Sequence, residues 1–247
     1  MIHRLLKILD HSFFLFGPRG VVKTTFLRSK LPPEGTIVVD LLNFETETRF
    51  RKDPGAFATF LSAIPKTTQW VLIDEVQKLP FLLDEVHRHL ENNPHRHFAL
   101  TGSSARKLKR GQANLLAGRA FVYHLFPLTS EELKNSFELE KALQFGTLPK
   151  LFSLTSNEEK KEFLNAYANT YLQEEVFSEG LVRQLDGFRQ FLIIAATQNG
   201  EALSWNNIAR EVGLSAPTIQ GYFQILGDTL LGFLLPAYRR SIRKRQR

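Results

Sequence analysis

The stretch SFFLFGPRGVVKTTFLRSK, from Ser12 to Lys30, narrows most what this chain can fold into. Four apolar residues, Phe13 to Phe16, run into a turn at Gly17-Pro18-Arg19-Gly20, and a helix is expected from about Lys23. Strand, glycine-bearing turn and Lys-Thr, in that order, follow the phosphate-binding loop pattern G-x-x-x-x-G-K-[ST]. A loop with little side-chain bulk lets backbone N–H groups curl round an anion, and the helix N-terminus adds a favourable dipole. The expected cradle is Gly17, Pro18, Arg19, Gly20, Val21, Val22, Lys23, Thr24 and Thr25. Lys23 would reach the outer phosphates, and Thr24 would set its hydroxyl on a magnesium ion. Val22 stands where the pattern has glycine. A β-branched residue adds bulk and stiffness where the backbone must approach the phosphates.

Two later stretches supply matching parts. WVLIDEVQKLP holds a short continuous apolar run, Trp70 to Ile73, as expected of a strand buried on both faces. It ends in Asp74-Glu75. Asp74 at a strand's carboxyl end can hold the magnesium shell, and Glu75 can accept a proton from an attacking water. An exposed Asp-Glu pair at a strand–loop junction is the plainer alternative. HFALTGSSARKL reads as a strand from His97 to Thr101, ending in Gly102-Ser103-Ser104. Small polar residues at the carboxyl edge of a parallel sheet lie where ligands bind, so a hydroxyl there can orient a water against the terminal phosphate. A helix cap by Ser103 or Ser104 is the competing role. Arg119, just before a fifth strand from Ala120 to Leu125, is placed to meet transition-state charge in cis or across a subunit boundary; a surface arginine is the alternative.

Between these stretches, Thr36 to Leu42 is a second apolar run, and Asp53-Pro54 opens a helix to about Ala63. Leu79, Leu82, Leu83, Val86 and Leu90 recur at helical spacing. His87, His89, His95 and His97 cluster in sequence, but no carboxylates join them at metal-ligand spacing, so they read as surface histidines. The absence of cysteine excludes disulfides, thiol catalysis and thiolate metal sites. There is no membrane-length apolar run and no signal-peptide pattern at the N-terminus, so a cytoplasmic location is expected. The net charge is +7, yet six basic groups lie in the last nine residues, RRSIRKRQR, and the rest carries +1. The excess is a tail, either a solvated end or an arm for nucleic acid.

FGPRGVVKTT, WVLIDEVQKLP, FALTGSSARKL and LLAGRAFVYHLFPLTSEEL, in this order and spacing, resemble the AAA-type ATPase domain of a bacterial and archaeal family. Further stretches agree: FGTLP at Phe145, YANTYLQEEV at Tyr167 and LVRQLDGFRQFL at Leu181. In that family an ATPase core precedes a winged helix and a C-terminal nuclease-like domain of uncharacterised role. The resemblance runs from about Leu5 to Tyr238, and the chain stops at Arg247, in what reads as the wing leading to the third domain. The resemblance implies a three-layer α/β core with parallel sheet order 5-1-4-3-2. It also implies ATP and Mg bound by Gly17, Gly20, Lys23, Thr24 and Asp74, hydrolysis aided by Glu75, a sensor at Ser103 and an arginine finger at or near Arg119.

The second half reads as helical. Asn157 to about Glu179 shows one apolar face, Phe163, Leu164, Tyr167, Tyr171, Leu172 and Val176, and Phe188 to Thr197 is a further helix. LSWNNIAREVGLSAPTIQGYFQIL has helix-turn-helix grammar, with Gly213 at the turn and Ser215 as cap. LLGFLLPAY is expected to be the first strand of a wing. No Arg or Lys lies between Ser215 and Tyr238, which favours a structural or protein-contacting role over DNA binding, since phosphate contacts need cations. Expected domains are an ATPase core at 1–150, a helical lid or linker at 151–186 and a winged helix with a basic tail at 187–247. The leading expectation is ATP hydrolysis that moves the winged-helix module, with a protein or a second copy as partner. The alternatives are a nucleotide sensor or scaffold impaired by Val22, and a DNA-binding protein. Replacing Val22 by glycine is expected to leave the melting temperature of the empty protein nearly unchanged. Restoring about two charge-assisted hydrogen bonds, roughly 3–6 kcal/mol, would raise ATP affinity at least tenfold.

Overall fold

Five short strands meet in a single sheet: β1 (Phe13–Phe16), β2 (Thr36–Asp40), β3 (Trp70–Asp74), β4 (His97–Gly102) and β5 (Phe121–His124). This computed structural model describes residues 3–103, 108, 116, 118–177, 182 and 185–238. The strand order is β2-β3-β4-β1-β5, which is the expected 5-1-4-3-2 read from the other edge. Every pairing is parallel, so all carboxyl ends lie on one edge. That edge receives the Gly17 turn after β1, the Asp74-Glu75 pair at the end of β3 and Ser103 after β4.

Alternation along β1 builds the two faces, because successive side chains of a strand point opposite ways. Phe14 and Phe16 join Val71, Ile73 and the helices α2 (Phe44–Lys52), α3 (Gly55–Ala63) and α4 (Leu82–Asn92). Phe13 and Leu15 join Leu72, Ala99 and α1 (Lys23–Lys30) on the other face. The result is a three-layer α/β fold whose central strands have no polar face to spare.

The helix α2 was not anticipated. Its signals are local and legible: Asn43 accepts from the Thr46 N–H at 2.9 Å, acids fill the first turn and bases the last. The weak apolar pattern of FETETRFRK, with only Phe50 buried, hid it. His89 is not a surface histidine. It is buried on α4, with Nε2 3.1 Å from Arg96 Nη1, because Arg96 turns inward to hold the carbonyls of Leu61, Ile64 and Pro65. His97 is half-buried, with its ring against Trp70.

The second half follows as α5 (Ser130–Leu133), α6 (Leu139–Phe145), α7 (Asn157–Thr170), a π-helical segment (Tyr171–Phe177), α8 (Leu185–Thr197), α9 (Trp205–Val212) and α10 (Ala216–Asp228). Thr129 and Glu132 form a capping box at α5, and Ser156 and Glu159 form another at α7. α7 lays Phe163, Leu164 and Tyr167 on the α1 side of the sheet. A separate core, with Phe188, Phe191, Ile208, Val212 and Ile219, binds α8, α9 and α10 together. The helix-turn-helix is present: Gly213 takes φ 73° at the end of α9, and Ser215 caps α10. The wing strand expected at LLGFLLPAY is not formed within the described residues, which hold no strand from Leu231 to Tyr238. Phe233, Leu235 and Tyr238 are exposed, and without a paired neighbour an apolar run has no ladder to complete. The basic tail, 239–247, lies outside the described residues.

Candidate phosphate-binding site

Between β1 and α1 the backbone makes a turn that few residues tolerate. A Cβ on Gly17 would collide with the Leu125 carbonyl oxygen, and Gly20 has φ 80°. Val22 also sits in the left-handed region, at φ 61° and ψ 42°, as the residue before the first turn of α1. For a β-branched residue this is an outlier, about 1–2 kcal/mol above the right-handed form. Its side chain is 42% exposed, whereas Val21 is buried in the core on the α1 face. The first turn of α1 carries no acid, so its dipole favours an anion there.

Lys23 is 7% exposed and turns back on the loop, donating to the Gly17 carbonyl at 2.8 Å and the Pro18 carbonyl at 3.3 Å. Its charge is thus held over the loop. Thr24 donates its hydroxyl to Asp74 Oδ2 at 2.7 Å, across 50 positions of sequence. Asp74 accepts on its other oxygen from the Thr101 hydroxyl, and Thr101 Oγ1 accepts the Glu75 N–H at 3.0 Å. Glu75 has φ 59°, a second left-handed residue beside the loop. Its carboxylate accepts from the Gln77 amide, whose nitrogen lies 3.4 Å from Ser103 Oγ.

A cavity of about 190 Å³ is lined by Arg19, Gly20, Val22, Lys23, Thr24, Thr25, Glu75 and Ser103. Backbone donors, a lysine, a threonine hydroxyl and two carboxylates therefore converge on the carboxyl edge of the sheet. Thr24 and Asp74 are hard oxygen donors that suit a small divalent cation. Among the described residues no three His, Asp or Glu side chains form a metal cage, so a cation here would complete its shell with phosphate oxygens and water. A larger groove of about 520 Å³, with Phe137, Lys141, Phe145 and Lys160 in its walls, holds none of these groups.

Arg119 is not brought to the cavity. It precedes β5, whose Phe121 stands opposite Phe13 at the start of β1, so it lies at the amino edge of the sheet. About 13 Å of strand separates that edge from the loop. Its guanidinium is held by Glu91 at 2.9 Å and His87 at 2.5 Å, both on α4. A role in cis at this cavity is therefore closed to it. Ser104, the other candidate cap, lies outside the described residues.

Thr101, Gln77 and Tyr167 join the site although the sequence did not single them out for it. Thr101 and Gln77 carried only proximity to the named motifs as signal. Tyr167, from α7, donates its hydroxyl to the Arg19 carbonyl at 3.1 Å and packs its ring near Gly20. Its sequence signal was that of a helix's apolar face.

The family comparison agrees with this architecture. Residues 10–134 match the family model described as an AAA domain, and residues 136–247 match a domain of unknown function. Uncharacterized proteins of Mycobacterium tuberculosis and Mycobacterium bovis are each 30% identical over 250 residues, aligned to 100% of this chain and 53% of their own length. The chain thus spans about half the length of the curated relatives it matches. Among solved structures, the Aeropyrum pernix ORC2 protein in ADPNP–ADP complexes is 14% identical, with TM-score 0.46, covering 90% of this chain and 81% of that chain. The replication initiator DnaA bound to AMPPCP and single-stranded DNA is 16% identical, with TM-score 0.43, covering 89% and 82%.

Proposed function

The chain belongs to the AAA domain family, and from that premise we propose that it binds ATP with a magnesium ion at the Gly17–Thr25 loop and hydrolyses it. The observation that carries the proposal is the Thr24 hydroxyl 2.7 Å from the Asp74 carboxylate, at the head of a helix with no acid in its first turn. In this reading the loop amides and Lys23 hold the phosphates, and Lys23 exchanges its bonds to Gly17 and Pro18 for phosphate oxygens. Thr24 and Asp74 would hold the cation, which would supply positive charge against the phosphate oxygens. Glu75 takes one proton of the attacking water as its oxygen bonds to the terminal phosphorus and the bond to ADP breaks. Ser103 orients that water. Arg119 contributes only to the site of a second copy, since its own site is at the opposite edge of the sheet.

Two contacts support coupling of the loop to the helical region in this reading. Tyr167 hydrogen-bonds the loop at Arg19, and one turn on, the Tyr171 hydroxyl lies 3.0 Å from Thr229 Oγ1 at the end of α10. The π-helical segment between α7 and α8 is a local departure of the kind that marks hinges. In the proposed division, core 1–150 acts through linker 151–186 on a winged-helix region 187–247, whose partner is a protein or a second copy.

A second reading, a sensor or scaffold that binds nucleotide without turnover, is favoured by Val22, whose exposed side chain lines the cavity. Titration with ATP and ADP, with and without magnesium, followed by a turnover assay, separates the readings. Binding with turnover supports hydrolysis, binding without turnover in this chain and in Val22→Gly supports the sensor, and no binding in either rejects both.

A further inference from the structure

Gln77 lies two residues past Glu75, in the 3-10 turn Val76–Lys78 that follows β3. A glutamine in such a turn ordinarily faces water, yet this one is 6% exposed. Its amide nitrogen donates to Glu75 and points towards Ser103. Its amide oxygen has no hydrogen-bond partner among the described residues and lies so close to Gly102 that a Cβ there would come within 2.8 Å. The reverse amide orientation would set oxygen against the Glu75 carboxylate, acceptor against acceptor. A buried acceptor without a partner is a standing cost. Leucine, of similar volume, would fill the same space without it. Packing alone therefore gives no reason for an amide.

The amide does supply a tether. The backbone of Glu75 is fixed by its N–H to Thr101, in a left-handed conformation, and Gln77 fixes the other end of the side chain. Lys23 lines the same cavity, so an untethered Glu75 carboxylate has a cation to turn towards. A base that must take a proton from one water needs a set orientation, and a third group commonly provides it. We propose that Gln77 is the positioning residue for Glu75: it occupies one carboxylate oxygen, leaves the other for the attacking water, and ties both to Ser103. This rests on the hydrolysis reading above.

The test measures ATP turnover, ATP–Mg binding and melting temperature for the unsubstituted chain, Gln77→Leu and Gln77→Glu, each also combined with Val22→Gly. Both substitutions remove the donor, and Gln77→Glu keeps the shape. The expected result is a kcat lower by about tenfold or more, with KM and the ATP–Mg dissociation constant changed by no more than about twofold. Gln77→Leu should melt no lower than the parent, since the orphaned acceptor goes with the amide. In 15N spectra the Gln77 side-chain amide should shift in Glu75→Ala; a signal that ignores Glu75→Ala overturns the contact itself. Undiminished kcat in both variants overturns the inference and leaves the hydrolysis reading standing. Loss of kcat, nucleotide affinity and melting temperature together marks a structural residue and overturns it too. No turnover in any parent chain overturns the hydrolysis reading and this inference together.

Discussion

Replacing Val22 by glycine has two consequences with separate magnitudes. In the empty protein Val22 is held at φ 61°, where an L side chain costs about 1–2 kcal/mol and glycine costs none. Glycine gives back about 0.5–1 kcal/mol through its greater freedom in the unfolded chain. The net gain is about 0–1.5 kcal/mol, or a melting temperature higher by up to about 6 °C for a chain of this size. The sequence alone predicted no change, because the left-handed backbone was not visible in it. The effect on ATP moves the other way. The backbone already has a conformation that glycine adopts freely, so its N–H groups need no re-aiming, and the full 3–6 kcal/mol of two lost hydrogen bonds is not recovered. What remains is the crowding of an exposed valine on the cavity wall, about 1–2 kcal/mol, or five- to thirtyfold in affinity. Scanning calorimetry of both empty proteins and calorimetric titration with ATP–Mg give the two numbers independently. Equal affinities would refute the crowding argument. A melting temperature lowered in Val22→Gly would refute the strain argument, whatever the affinities.

Asp74→Asn should weaken magnesium's hold roughly 10–100-fold while leaving magnesium-free nucleotide binding intact; nucleotide titrations across a magnesium series check this, and an unchanged magnesium requirement refutes the ligand role. Burial, and then the Arg96 guanidinium, hold His89 below its ordinary pKa, against an opposing pull from Glu85. The unfolded chain therefore binds the proton first, and stability should fall as pH drops below about 6.5, flattening once the folded imidazole also titrates. Urea unfolding at pH 7.5 and 5.5 should show a smaller drop in His89→Gln than in the parent; equal drops would remove His89 as the source. A chain ending at Tyr238 should lose most salt-dependent duplex binding, since six of the basic groups lie beyond it. Filter binding across a salt series that finds the slope undiminished would move the contact to α10.

The local grammar of this chain was enough for its strands, its phosphate-binding loop and most of its helices. A continuous apolar run such as Trp70–Ile73 needs burial on both faces, and Gly17 and Gly20 announce a turn by composition. The order of such pieces, with every strand feeding a crossover, also restricts the sheet to few topologies. Tertiary structure decided what the pieces do to one another. Thr24 finds Asp74 only because the sheet places the ends of β1 and β3 on one edge, and Thr101 joins them because β4 lies between. The same geometry carries Arg119 to the opposite edge, although in sequence it reads as a neighbour of the site. His89 is buried because Arg96 reaches back across the α3–β3 connection, a contact between residues that no helical period relates to that loop. Side-chain type and periodicity are properties of neighbours along the chain. Convergence, burial of a polar group and the hand of the backbone at Val22 and Glu75 depend on long-range packing, which over-determines local preference and can hold a residue where its own propensity would not.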